Sequence, residues 1–265
     1  MTAEEESYPF QFKSRWAIKN HLLTGITLVP WLRILWRHQV DWKTYWHRAL
    51  FLTCMACVNS LLALPDRLLW SRRVAAQPLH PRSVFILGHP RTGTTLLHNL
   101  LSLDGRFATA NTFHCGFPSS FLCLEKFSWL LAPLVDKRRP MDNMPLSFAT
   151  PAEDEIATNV LSAGASPYLS IVFMRRWREL GSLLTFEGPG GAAAFARWRS
   201  SFLWFLKKVT LRYGGAAPKP LLIKSPVHAG RVRALLSIFP EARFIYIHRH
   251  PLEVCQGQRE AGGGA

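Results

Sequence analysis

Short apolar runs and longer amphipathic stretches alternate through the second half of this chain. SVFIL (Ser83–Leu87), PLLIK (Pro220–Lys224) and ARFIYIH (Ala242–His248) are five to seven residues long and mostly apolar. Their length and their β-branched or aromatic content predict buried strands. After the first, closed by Gly88, the stretch TTLLHNLLSL places Leu96, Leu97, Leu100 and Leu101 on one helical face, the stripe that would pack on a sheet. After the second, SPVHAGRVRALLSIFP predicts a helix with Ser225 as cap and Pro226 at its first position. Strand, turn, helix, and later strand, helix, strand predict an α/β fold, a parallel sheet flanked by helices.

The pattern differs upstream. Residues 1–80 predict a helical, basic and aromatic leader region that ends at the proline-containing connector QPLHPRS, with the α/β domain over 81–265. Within the leader, HLLTGITLVPWLRILW contains Pro30, which is expected to kink or end a helix. ALFLTCMACVNSLLAL (Ala49–Leu64) is uncharged over 16 residues, short of the roughly 20 that span a bilayer. Flanking Arg, Lys, Trp and Tyr suit core packing or peripheral contact between residues 20–70 and a membrane, with a true span as the third alternative. In the middle, RRPMDNMPLSFATPAEDE turns into a helix. Thr150 would be its cap, Pro151 its first residue and Glu153 the third position of a capping box, with Asp154 and Glu155 favouring the same N-terminus. GPGGAAAF (Gly188–Phe195) reads as a loop before a helix whose Lys207, Lys208 and Arg212 suit its C-terminal dipole.

Charge narrows the ligands. Thirty-two Lys and Arg against 17 Asp and Glu give a formal charge of +15, which draws polyanions or phosphorylated and sulfated molecules. The 48% hydrophobic content excludes a wholly disordered chain. Five scattered cysteines imply buried thiols in a reducing compartment, not a disulfide framework. The acidic first residues do not resemble a secretory signal, so a cytoplasmic or membrane-associated location is expected. No zinc-finger or nucleic-acid recognition motif is visible, and no nucleic-acid partner is expected.

Three cations fall at predicted strand ends, where parallel sheets bind ligands: Arg91, Lys224 and Arg249. The first end is G-H-P-R-T-G-T-T, Gly88–Thr95. It matches a Walker loop at Gly88, Gly93 and Thr95 but has Thr94 where the phosphate-binding lysine would be. Backbone N–H groups, the Thr94 and Thr95 hydroxyls and the forked Arg91 cation could still hold an oxyanion. A P-loop kinase or NTPase would need lysine at position 94 and an acidic magnesium ligand at a strand end, and neither is apparent.

Together, FILGHPRTGTTLLHNLLSLD, RPMDNMPLSFATPAEDE and LLIKSPVHAGRVRALLSIFPEARFIYIHRHPLEV resemble the sulfotransferase family that uses 3′-phosphoadenosine 5′-phosphosulfate (PAPS). The resemblance covers at least residues 80–257. It implies a P-loop-containing sulfotransferase fold, PAPS as sulfuryl donor, no metal, and transfer to an acceptor hydroxyl or amine on a small molecule, carbohydrate or lipid. It implies that His89, Pro90, Arg91, Thr92, Gly93, Thr94 and Thr95 hold the 5′-phosphosulfate and Arg249 the 3′-phosphate. Arg91 and Lys224 would stabilise the transferred group. His114, in TFHCGFPSSF, is taken first as the acceptor's base, with Glu153, Asp154, Glu155 and His228 as alternatives. Gly257 stands where the family has a serine, and relatives continue past QREAGGGA. The chain is therefore expected to be incomplete at its C-terminus, and a non-catalytic or degenerate binding protein of the same fold is the alternative.

Overall fold

The structure is a computed structural model that describes residues 21–132, 145–214 and 217–254. Its strands are β1 (Val84–Gly88), β2 (Ala108–Thr109), β3 (Leu221–Lys224) and β4 (Arg243–Ile247). They form one parallel sheet in the order β2-β3-β1-β4. Its helices are α1 (Leu28–Arg37), α2 (Trp42–Ala76), α3 (Thr94–Ser102), α4 (Thr112–Gly116), α5 (Phe121–Leu124) and α6 (Ser128–Leu131). These continue with α7 (Asp154–Leu161), α8 (Leu169–Val172), α9 (Trp177–Gly181), α10 (Gly191–Tyr213) and α11 (Val232–Ile238).

Strand alternation divides the core into two layers. Phe85 and Leu87 of β1 point to one face, with Leu221, Ile223 and the aromatic stripe Trp198, Phe202 and Phe205 of α10. Val84, Ile86 and Leu222 point to the other, under Leu97 and Leu101 of α3. Every residue of β1 is buried, as expected of a central strand covered on both faces. The predicted stripe on α3 is corrected. Leu96 and Leu100 are 56% and 57% exposed, because a helix of nine residues covers the sheet with Thr94, Leu97, His98 and Leu101 only.

The leader packs on this body. α2 contacts α1, α5 and α10, and its Asp66 forms an ion pair with Lys208 of α10 at 2.7 Å, both nearly fully buried. Lys208 is thus not a dipole-end surface charge, and burial lowers its pKa to about 8. Pro30 lies in the first turn of α1 and neither kinks nor ends it, because that turn needs no intrahelical N–H donor. α10 starts at Gly191, inside the expected loop, after Gly188 and Gly190 turn the chain at positive φ. Of the cysteines, Cys115 is buried, but Cys54 and Cys57 are exposed on α2. Cys255 and Gly257 lie outside the described residues.

Candidate active site

The first strand-end loop depends on two glycines for different reasons. A Cβ on Gly88 would lie 2.8 Å from the Ile247 carbonyl oxygen and 2.7 Å from the Thr94 methyl. Only a glycine lets β1 turn this close to β4. Gly93 has φ +94° and precedes α3, a backbone conformation that glycine adopts without strain. Arg91 holds φ +72° without being glycine, a strain of roughly 1–2 kcal/mol of the kind that gathers at binding loops. The Thr92 hydroxyl donates to the His89 carbonyl at 2.7 Å and closes the turn. His89 and Pro90 are exposed on its outer side. The first-turn N–H groups of α3, from Thr94 onward, have no intrahelical acceptor, the arrangement that helix N-termini offer to anions. The open space beside Gly93 leaves room for a ligand to approach them.

The other cations sit at neighbouring strand ends. Lys224 closes β3 level with Ile86 of β1. Gly88 pairs with Ile247 at the end of β4, and Arg249 follows two residues later. Arg249 is about half exposed and forms an ion pair with Glu253 at 2.6 Å, one turn along the chain. Topology therefore brings Arg91, Lys224 and Arg249 to one edge of the sheet.

The acidic triplet departs most from its sequence reading. The expected capping box at Thr150 does not form, and α7 begins only at Asp154. Pro151 pairs instead in a bridge with Asn111, and the Thr150 hydroxyl accepts from the Ser147 N–H at 3.0 Å. The three carboxylates turn toward three bases in KSPVHAGR. Lys224 Nζ donates to Glu153 Oε1 at 2.6 Å. His228 Nε2 lies 3.0 Å from both oxygens of Asp154. Arg231 Nη1 donates to both oxygens of Glu155 at 2.9 Å. Residues 226–230 form a 3-10 turn, and this is what aligns the spacing of the bases with the acids.

The rungs of this ladder differ in burial. Arg231 and Glu155 are completely buried, with Trp198 Nε1 and the Thr158 hydroxyl also donating to Glu155. His228 and Asp154 are buried beneath Phe85 and Phe202, and burial raises the Asp154 pKa against the opposing pull of His228. Only Glu153 reaches solvent, with 20% of its side chain exposed. Its other oxygen accepts from the Tyr168 hydroxyl. Burial, then the Glu153 carboxylate, raise the Tyr168 pKa well above the usual phenol value, so Tyr168 acts as a donor. Lys224 also donates to the Thr95 hydroxyl at 3.1 Å, which ties this carboxylate to the phosphate-type loop. Below the loop, burial and then the Lys224 charge lower the His98 pKa to about 4.

His114 lies in a different cluster. It completes a capping box with Asn111 at the start of α4, and its Nδ1 accepts from the Asn111 N–H at 3.3 Å. Its Nε2 then carries the proton and meets Glu125 at 3.2 Å, a carboxylate also paired with Arg212. Both ring nitrogens are therefore engaged in holding the fold. Tyr168 was missed from sequence, since nothing in its neighbours Pro167 and Leu169 sets it apart. Ser225 was read only as a cap, whereas its hydroxyl lies 3.4 Å from that of Tyr168. Among the described residues no group of three or more His, Cys, Asp or Glu side chains is placed to hold a metal.

Comparison with known proteins bears on the family and the fold. A model of the sulfotransferase family matches residues 81–260. The chain is 36% identical over 234 residues to the ω-hydroxy-β-dihydromenaquinone-9 sulfotransferase Stf3 of Mycobacterium bovis and to that of Mycobacterium tuberculosis. The match covers 88% of this chain and 59% of each relative, so the chain spans well under two thirds of their length. Sulfotransferase STF1 from M. tuberculosis H37Rv is similar in structure, with a TM-score of 0.51 at 15% identity over 90% of this chain and 60% of that one. STF9 from M. avium has a TM-score of 0.53 at 18% identity, covering 90% and 67%. Both likenesses concern the fold alone. Loop, sheet order, matched span and sequence identity agree: the chain belongs to the sulfotransferase family.

Proposed function

We propose that this protein transfers a sulfuryl group from PAPS to an acceptor hydroxyl, with Glu153 as the base. The observation that carries this reading is Glu153, partly exposed, held by Lys224 and Tyr168 beside the loop that ends in Thr95. PAPS would supply an activated sulfuryl group on a bisphosphate leaving group. The loop suits its 5′ end, because α3 presents unpaired N–H groups beside the open space at Gly93. Arg249, now paired with exposed Glu253, would exchange that partner for the 3′-phosphate.

The residues divide the work as follows. Glu153 accepts the acceptor's proton as the new oxygen–sulfur bond forms and the sulfur–oxygen bond to the leaving phosphate breaks. Lys224 has three N–H donors, of which two go to Glu153 and Thr95, so the third can meet a sulfonate oxygen. Arg91 and the helix N-terminus stabilise charge developing on the leaving phosphate. The relatives named for ω-hydroxy-β-dihydromenaquinone-9 support a hydroxyl carried on a lipid as the acceptor here.

The test begins with calorimetric titration of the chain with 3′-phosphoadenosine 5′-phosphate, repeated with Arg249→Ala. Folded protein that fails to bind would sink the reading. Transfer to a lipid alcohol is then followed with radiolabelled PAPS. Glu153→Gln is expected to keep nucleotide binding and to lower turnover by roughly 10²–10⁴-fold, the usual loss of a positioned base. His114→Gln is expected to lower stability and leave the turnover of folded protein within a few-fold. The reverse ranking would return the base to His114.

A further inference from the structure

α2 is built inside out. Apart from Leu52 and Val74, the side that faces the protein carries small or polar residues, Ala49, Ala56, Asn59, Ala63 and Asp66. Asn59 donates inward to the carbonyls of Thr24 and Ile26, and Asp66 accepts from Lys208 and from the N–H groups of Leu122 and Cys123. The opposite side repeats at helical spacing with Trp46, Leu50, Cys54, Leu61, Leu64 and Leu68, all exposed. Leu61 is 66% and Leu68 81% exposed. Lys43 and Arg72 end the same stripe. α1 adds Leu32 and Trp36, the latter 85% exposed, near the Trp42 and Trp46 end of α2. A continuous apolar face of this extent is a contact surface for something other than water.

Charge identifies what it contacts. Between residues 21 and 76 there are seven Arg and Lys but only two Asp, with no Glu, and Asp66 is buried in its ion pair. An apolar stripe with tryptophans at one end and cations around it matches an anionic bilayer interface. We propose that the outward face of α1 and α2 rests on an anionic lipid membrane, with α2 lying in the plane of the headgroups. α2 is long and apolar enough to cross a bilayer by length and composition. However, the Asp66–Lys208 pair binds its inner side to α10, and lipid cannot surround a helix held in that way. The apolar stripe, about 33 Å from Trp46 to Leu68 at 1.5 Å per residue, therefore lies along the surface. This inference rests on α1 and α2 alone and holds whether or not sulfuryl transfer does.

The experiment is co-sedimentation of the full chain with vesicles of equimolar phosphatidylglycerol and phosphatidylcholine, or of phosphatidylcholine alone. Strong binding to the anionic vesicles and weak binding to the neutral ones is expected. The triple variant Leu50→Gln/Leu61→Gln/Leu68→Gln keeps the charge and alters only exposed positions. Its partition coefficient should fall at least about ten-fold, from the lost apolar burial. Lys43→Glu/Arg72→Glu should remove the preference for the anionic lipid. Any of four results overturns the inference: folded wild type that stays in the supernatant, undiminished binding by the folded triple Gln variant, protein that resists alkaline carbonate extraction, or a wild-type dimer that the triple Gln variant dissociates. The last would assign the face to a second copy of the chain.

Discussion

Arg231→Met tests the innermost rung of the acid–base ladder. Arg231 is 2% exposed as a residue, and its guanidinium meets Glu155, donates to the carbonyls of Leu183 and Leu184, and stacks over Phe186 and Trp198. Methionine preserves most of the stem volume but removes the guanidinium that stacks over the two aromatic rings. It leaves Glu155 buried with only the Trp198 and Thr158 donors, and leaves both carbonyls without the guanidinium. Breaking a buried ion pair from one side costs about 3–5 kcal/mol, and each unpaired carbonyl adds about 1 kcal/mol. A loss of roughly 5–7 kcal/mol is therefore expected, a large share of the roughly 5–15 kcal/mol that holds a domain folded. The assay is urea unfolding followed by far-ultraviolet circular dichroism. The informative variant is Arg231→Met/Glu155→Gln, which removes both charges but keeps an acceptor for Trp198 and Thr158. It should be more stable than Arg231→Met by about 2 kcal/mol, because an uncompensated buried carboxylate is worse than a neutral amide. A double variant no more stable than Arg231→Met would refute the claim that an unpaired charge dominates. A single variant losing less than about 1 kcal/mol would refute the burial argument itself.

Two further outcomes follow from the loop and what lies under it. Gly88→Ala forces a methyl against the Ile247 carbonyl and Thr94; a loss of about 1–3 kcal/mol and weaker binding of 3′-phosphoadenosine 5′-phosphate are expected by thermal shift and calorimetry. His98 stays neutral in the folded protein down to a pKa of about 4, while in the unfolded chain it takes up a proton below about 6.5. Its stabilising effect is complete above pH ~6.5 and is lost as pH falls toward 4, by up to roughly 3 kcal/mol. Urea titrations across that window should show a shallower decline for His98→Gln than for the wild type.

The α/β core was legible because its strands are continuous apolar runs that end in a glycine or a cation, and because β1 is followed directly by an amphipathic helix. The same edge-of-sheet logic placed Arg91, Lys224 and Arg249 together before any coordinates. The acid ladder was not legible. Each carboxylate of PAEDE had a sufficient local explanation in helix capping, and the bases that claim them lie 71 to 76 residues away in sequence. Local rules miss such pairs because a buried ion pair can override a cap worth about 1 kcal/mol. The placing of α2 was only partly legible: its composition suited core packing and peripheral membrane contact alike, and the structure buries Leu52 and Val74 with the small and polar side while Leu50, Leu61, Leu64 and Leu68 face outward.

The length of the ladder's span bears on how the protein is made. Glu153, Asp154 and Glu155 emerge from synthesis before Lys224, His228 and Arg231, by the 71, 74 and 76 residues that separate each pair. At about 5–20 residues per second, the carboxylates wait roughly 4–15 s for their cations. During that interval α7 cannot bury its charged end against α10 without leaving acids unpaired. The charged start of α7 is thus kept from its buried place until β3 and the turn after it have been made, and the edge that carries the reactive groups is assembled late.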